Sequence, residues 1–160
     1  EIINIKELSI PRTPGRIHLE PSLNPTNSNQ LAIIEFIPAQ MVNKLYLYDI
    51  QKSDYQLIGK SIYSNQERQI ARGNKTSYNW HPNGKVIAFI NSDQEIVLAD
   101  ISNPYSINKR SFQTGITYPD QLKFSSDGKY LAIVALPEEQ YLTKTRLNTF
   151  AQLYVVELSR

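Results

Sequence analysis

The side chains able to do chemistry are few and dispersed. The chain has two histidines, His18 and His81, and no cysteine, which removes thiolate nucleophiles, disulfides and Cys-ligated zinc from consideration. A serine hydrolase needs a nucleophile on a strained turn, usually within G-x-S-x-G, and a histidine to activate it; no such motif is present. His81 stands beside Pro82 in "WHPNGK", which reads as a turn, and His18 lies in a Pro-rich leading segment. A zinc site needs three or four clustered ligands, which two separated histidines do not supply. The glycines are scattered singly, without a G-x-G-x-x-G or P-loop cradle for phosphates. Asp49, Asp100 and Glu157 recur at the ends of similar apolar runs. Such recurrence points to a repeated structural hydrogen bond; a ring of carboxylates holding a cation at one mouth of the molecule is the alternative. No cofactor and no catalysis are expected within this stretch.

The composition places the chain in the ordinary globular class: 160 residues, 41% hydrophobic, 20% charged. Seventeen basic against 15 acidic residues give a formal charge of +2, too balanced for a dedicated nucleic-acid surface or an acidic-lipid anchor. Apolar runs such as "LAIIEFI" (31–37) fall well short of the roughly 18 residues a spanning helix needs, so no direct membrane insertion is expected. "EIINIKELSI" has no initiator Met and no basic start before an apolar stretch, so it does not read as a secretory signal; a processed or excised product is expected. Ten tyrosines and five phenylalanines against one methionine favour strands.

What must position any functional residue is a repeat. "YNWHPNGKVIAFI" (78–90) and "LKFSSDGKYLAIV" (122–134) say nearly the same thing twice, and a period of 40 to 50 residues marks stacked supersecondary units. Ala32, Ala88 and Ala132 lie 56 and 44 residues apart, and "LYLYDI", "IVLADI" and "LYVVEL" follow them in order. Each unit reads as a brief strand with large apolar residues on one face (Leu23; Tyr78 and Trp80; Leu122 and Phe124). A tight turn and two strands apolar on both faces follow, the small alanine permitting close approach of neighbouring sheets. In the turns, Pro82, Asn83 and Gly84, and Asp127 and Gly128, carry the required backbone chemistry. Unit one has the longer, glycine-free "NPTNSNQ", so Asn27 or Asn29 is expected in the left-handed region. A weaker fourth strand follows in unit one (55–59) and unit two (109–113), and unit three stops before its own. The units run 18–59, 76–113 and 118–160, with 1–17 a leading segment or a strand completing a neighbouring blade.

The expected architecture is all-β: a β-propeller of four-stranded antiparallel blades, about three of them present. "YNWHPNGKVIAFI" and "LKFSSDGKYLAIV" resemble the "W-S-P-D-G-K-x-I-A-F" signature of WD40-like (PD40-type) propeller repeats of the TolB family, with His81 and Asn83 in place of Ser and Asp, and Ser126 in place of Pro. The resemblance covers residue 18 onward. It implies blades around an axis and a periplasmic or otherwise exported bacterial protein, though a cytoplasmic home fits the composition equally. TolB itself docks a peptidoglycan-associated lipoprotein, and related blades gate prolyl oligopeptidase-like serine peptidases. Propellers use four to eight blades, so three units imply a piece of a longer protein or self-association that completes the ring, two copies giving six units.

In a meander, the short first-to-second turns share one end of each blade, and the long connections share the other: 38–44, 60–76 and 137–152. Long loops on one rim of a rigid scaffold are where binding resides. Arg68, Arg72 and Lys75 form a basic cluster there, and Tyr141, Leu142, Arg146 and Phe150 mix aromatic and cationic groups of the kind enriched at interface hot spots; the plain alternative is that they pack or solvate their own loops. "PEE" (137–139) could also open a short helix. The expected function is a non-catalytic scaffold whose loop-rich rim binds a protein or peptide. The alternative is a substrate-gating propeller fragment of a serine peptidase whose catalytic domain lies outside this stretch.

Overall fold

A computed structural model describes residues 17–37, 42–61, 78–91, 93–103, 105–116, 119–135 and 152–158. These residues form eleven strands: β1 (Ile17–Leu23), β2 (Gln30–Ile37), β3 (Val42–Asp49), β4 (Asp54–Ser61), β5 (Tyr78–Trp80), β6 (Val86–Ile90), β7 (Ile96–Asp100), β8 (Asn108–Phe112), β9 (Pro119–Phe124), β10 (Tyr130–Ala135) and β11 (Gln152–Glu157). They pair antiparallel in simple meander order as sheet 1 (β1-β2-β3-β4), sheet 2 (β5-β6-β7-β8) and the three-stranded sheet 3 (β9-β10-β11). No helix occurs among the described residues.

The repeat holds at the level of single bonds. The residue after the first strand donates its N–H to the first residue of the second strand in all three sheets: Asn24 to Gln30, His81 to Val86, Ser125 to Tyr130. The residue after the third strand donates to the one just before the second: Ile50 to Asn29, Ile101 to Lys85, Leu158 to Lys129. Gly84 and Gly128 sit at φ +68° and +73°, where a side chain is strained. A Cβ on either would also collide, with Asn24 and Thr26 at Gly84 and with the His81 ring at Gly128. The two turns therefore require glycine for close approach as well as for backbone angle.

The glycine-free turn of sheet 1 departs from expectation. Neither Asn27 nor Asn29 has positive φ. The extra residue relaxes the turn, and the buried Asn24 closes it by accepting the N–H groups of Thr26 (2.9 Å) and Asn27 (3.2 Å) on its Oδ1. His18 likewise departs from the leading segment expected of it: it lies within β1, paired with Glu35. Pro21 falls in the register shift between Leu19 and Ser22, a position at which a residue without an N–H breaks no ladder bond.

The sheets stack through two cores. Ala32, Ile34, Leu45 and Leu47 of sheet 1 meet Tyr78, Trp80, Ile87 and Phe89 of sheet 2; Ala88, Ile90 and Ile96 of sheet 2 meet Leu122, Phe124, Leu131 and Ile133 of sheet 3. Ala32 and Ala88 are fully buried where these sheets approach. A Cβ on Gly59 would run into the Phe89 ring, so the ring lies directly on the glycine backbone. Two expectations fail at the ends of the stack. Leu23, which occupies the register position of Trp80 and Phe124, is 56% exposed, because it points away from sheet 2. Sheet 3 is not apolar-and-covered on both faces: Ala132 and Val134 are only half-buried, and Leu153 and Val155 are exposed.

Candidate functional site

The meander sends the connections after β2, β4, β6, β8 and β10 to one end of the stack and the short turns to the other. The two longest gaps between strands, 62–77 and 136–151, therefore leave from the same end. The sequence-derived binding candidates Arg68, Arg72, Lys75, Tyr141, Leu142, Arg146 and Phe150 all lie outside the described residues, as does the "PEE" segment. At this end the described structure shows the β6–β7 hairpin, where Asn91 caps its own turn by accepting the N–H groups of Asp93 and Glu95 (both 2.9 Å) and donates to the Glu95 carboxylate.

The opposite end is built from side chains that tie one turn to the next. Asn24 donates from Nδ2 to the carbonyl of Gly84 (2.8 Å, buried), and Thr26 Oγ1 to the carbonyl of Asn83 (3.3 Å). One sheet along, His81 makes the equivalent tie. Its Nδ1 accepts the Asn83 N–H (3.1 Å), which leaves Nε2 to carry the proton and donate to the Gly128 carbonyl (3.2 Å). Its ring stands edge-on to Phe124, centroids 4.9 Å apart. Ser125, third in this series, instead closes its own turn through Asp127 (2.6 Å) and the Tyr130 N–H (3.0 Å). Both nitrogens of His81 are thus engaged by backbone groups, an arrangement that holds two turns together and leaves no lone pair to activate a nucleophile. The identity of this tie was not legible in the sequence, where Asn24, His81 and Ser125 share a position but no chemistry.

The recurrent acids occupy the same end. Asp49 accepts the N–H groups of Gln51 and Lys52 (both 3.0 Å); those bonds, the one from Lys52 foremost, hold its carboxyl below the usual range. Asp100 accepts the Ser102 N–H (2.9 Å) and is lowered chiefly by it. Asp127 is lowered by Ser125 and by the Lys129 N–H. Asp49, Asp100 and the turn residue Asp127 each close their own turn, whereas Glu157, the third recurrent acid, stands exposed in β11 opposite Tyr130. Among the described residues no group of three or more His, Cys, Asp or Glu side chains could hold a metal ion, and no helix is long and apolar enough to cross a membrane. A cleft of about 530 Å³ opens where sheets 1 and 2 diverge, lined by Gln30, Asp49, Asp54, Gln56 and, across from them, the 88%-exposed Tyr105.

Neither a protein-family model nor a curated protein sequence matches the chain. Solved structures do. An oligogalacturonate lyase in complex with manganese aligns at 9% identity and a TM-score of 0.57, over 98% of this chain and 39% of its own. The β-propeller domain of the Trilobed protease from Pyrococcus furiosus aligns at 15% identity and 0.56, over 90% of this chain and 40% of that one. An acylaminoacyl peptidase in complex with Z-Gly-Gly-Phe-chloromethyl ketone aligns at 14% and 0.55, over 89% and 23%. The chain spans about two fifths or less of the length of these three proteins. Identities this low speak to fold alone. Three stacked antiparallel sheets in meander order, two of them four-stranded, have the fold of part of a β-propeller.

Proposed function

We propose that this chain is a non-catalytic, TolB-like propeller segment that binds a protein or peptide through its loop-rich rim, in the periplasm or another exported compartment of a bacterium. The observation that carries the reading is the topology: the two longest connections leave from one end of a rigid stack, the arrangement in which scaffolds present binding loops. The TolB assignment and the compartment rest on the turn motifs of the sequence. Tyr141, Leu142, Arg146 and Phe150 would supply the contact energy, with Arg68, Arg72 and Lys75 steering an acidic partner. Calorimetric titration with the soluble domain of a peptidoglycan-associated lipoprotein tests this. Tyr141→Ala with Arg146→Ala should weaken binding at least tenfold, about 1.4 kcal/mol or more, at an unchanged melting temperature; no binding by the unaltered chain, or equal affinity of the variant, refutes the reading.

The peptidase-gating alternative draws on the propellers of the peptidases among the similar solved structures. Labelling of the full-length parent protein by a fluorophosphonate serine probe would decide for it, and the absence of labelling against it.

A further inference from the structure

The first-to-second turn of sheet 2 holds the one Asn-Gly pair of the chain, Asn83–Gly84. Such a pair can react without an enzyme, because glycine has no Cβ to keep its nitrogen from the asparagine side chain. The Gly84 nitrogen gives its proton to water and its electron pair to Asn83 Cγ, the Cγ–Nδ2 bond breaks, and ammonia departs to leave a cyclic imide. Water then opens the imide at one of its carbonyls. Attack at Cγ leaves aspartate on an ordinary backbone. Attack at the main-chain carbonyl leaves isoaspartate, whose backbone runs through Cβ and Cγ and is longer by an atom. Either way the net change is water in and ammonia out, with no oxidant or reductant.

In the folded stack this pair is held out of reaction. Gly84 is buried and its N–H donates to the His81 carbonyl (2.9 Å), so the attacking nitrogen is occupied. Asn83 Oδ1 accepts the Lys85 N–H (2.9 Å), which fixes the carbonyl group that would be attacked. The main chain around them is pinned as well. The Asn83 N–H donates to His81 Nδ1 (3.1 Å), the Asn83 carbonyl accepts from Thr26 Oγ1 (3.3 Å), and the Gly84 carbonyl accepts from Asn24 Nδ2 (2.8 Å). The last two donors belong to sheet 1. Asn83 itself is exposed, so water reaches it and ammonia can leave; what the pair lacks is freedom of the main chain, and local opening supplies that.

The two products differ in what they do to the stack. Asp127 occupies the same turn position in sheet 3 and accepts the Lys129 N–H (3.1 Å), so aspartate at position 83 keeps the bond to Lys85. Isoaspartate cannot keep the ties. Beside Gly84 there is no room for even a Cβ against Asn24 and Thr26, and a longer backbone carries both carbonyls away from their donors. We propose that Asn83–Gly84 is a deamidation site gated by the ties between sheets 1 and 2. It is closed while Asn24 and Thr26 hold the turn, reactive once they let go, and through isoaspartate it makes the release permanent. The site lies at the end opposite the loop-rich rim and does not depend on what the rim binds.

Peptide mapping by mass spectrometry, on the 160-residue chain held in mildly alkaline buffer, tests it. Deamidation at Asn83 should be at least about tenfold slower in the folded chain than in urea above its unfolding midpoint. Asn24→Ala should speed the reaction of the folded chain at least about fivefold and leave the rate in urea unchanged. Thr26→Val, which removes the hydroxyl bonded to the Asn83 carbonyl, should speed it about twofold, and it decides the matter if Asn24→Ala proves unfolded by circular dichroism. The isoaspartate form, separated by chromatography, should melt below the unaltered chain, and Asn83→Asp should melt close to it. Equal rates in buffer and urea, no reaction at Asn83 in either, folded variants that react no faster than the unaltered chain, or an isoaspartate form of undiminished stability overturns the proposal.

Discussion

At the scale of the residue, the turn end of the stack rests on a few polar atoms with long-range partners. Asn24 satisfies the Gly84 carbonyl, 60 positions away, while its Oδ1 serves its own turn. Asn24→Ala leaves these buried groups unpaired and should cost about 1–3 kcal/mol, measured by urea denaturation; Ser125→Ala, which breaks only local bonds, should cost less. Asp100 shows the pH side of the same chemistry. Its folded-state carboxyl is held below the ordinary value of 3.8 by the Ser102 N–H, so its stabilising contribution is complete above that value and lost as the pH falls through the lower folded one. Asp100→Asn keeps an acceptor but removes the titration, and the variant's melting temperature should therefore fall less between neutral pH and about pH 3 than that of the unaltered chain. The turn glycines were legible from "PNGK" and "SDGK". Asn24 and His81 as ties between sheets were not, because a side chain's partner in the next unit is a matter of how units stack.

At the scale of the element, strand order and turn positions followed from the alternation and punctuation of the sequence, and the failures are as informative. Leu23 has the pattern of a buried strand residue and is exposed, since period 2 identifies a face without saying whether another sheet lies over it. The Asn27 or Asn29 expectation failed because one added residue let a side chain replace a left-handed backbone. Gly59, in a strand that read only as weak, is the seat of the Phe89 ring. Gly59→Ala should destabilise by about 1–3 kcal/mol through overpacking, and adding Phe89→Leu should cost less than the sum of the two single changes, both measured by equilibrium unfolding.

At the scale of the whole molecule, the stack is asymmetric. Sheet 1 keeps Leu31, Ile33, Glu35 and Tyr48 of its outer face buried while Leu23, Tyr55 and Leu57 on that face are exposed; sheet 3 has Leu153 and Val155 exposed on its outer face and, among the described residues, its third strand is paired on one side only. The sequence by itself determined the all-β class, the three units, their meander order and the two glycine turns, because these depend on side-chain alternation and local backbone preference within some ten residues. Tertiary structure alone decided which of the apolar faces are covered and which side chain before each turn reaches the next sheet. Those properties belong to contacts between units 40 to 60 residues apart, and each unit's sequence is compatible with a neighbour on both faces, on one, or on none.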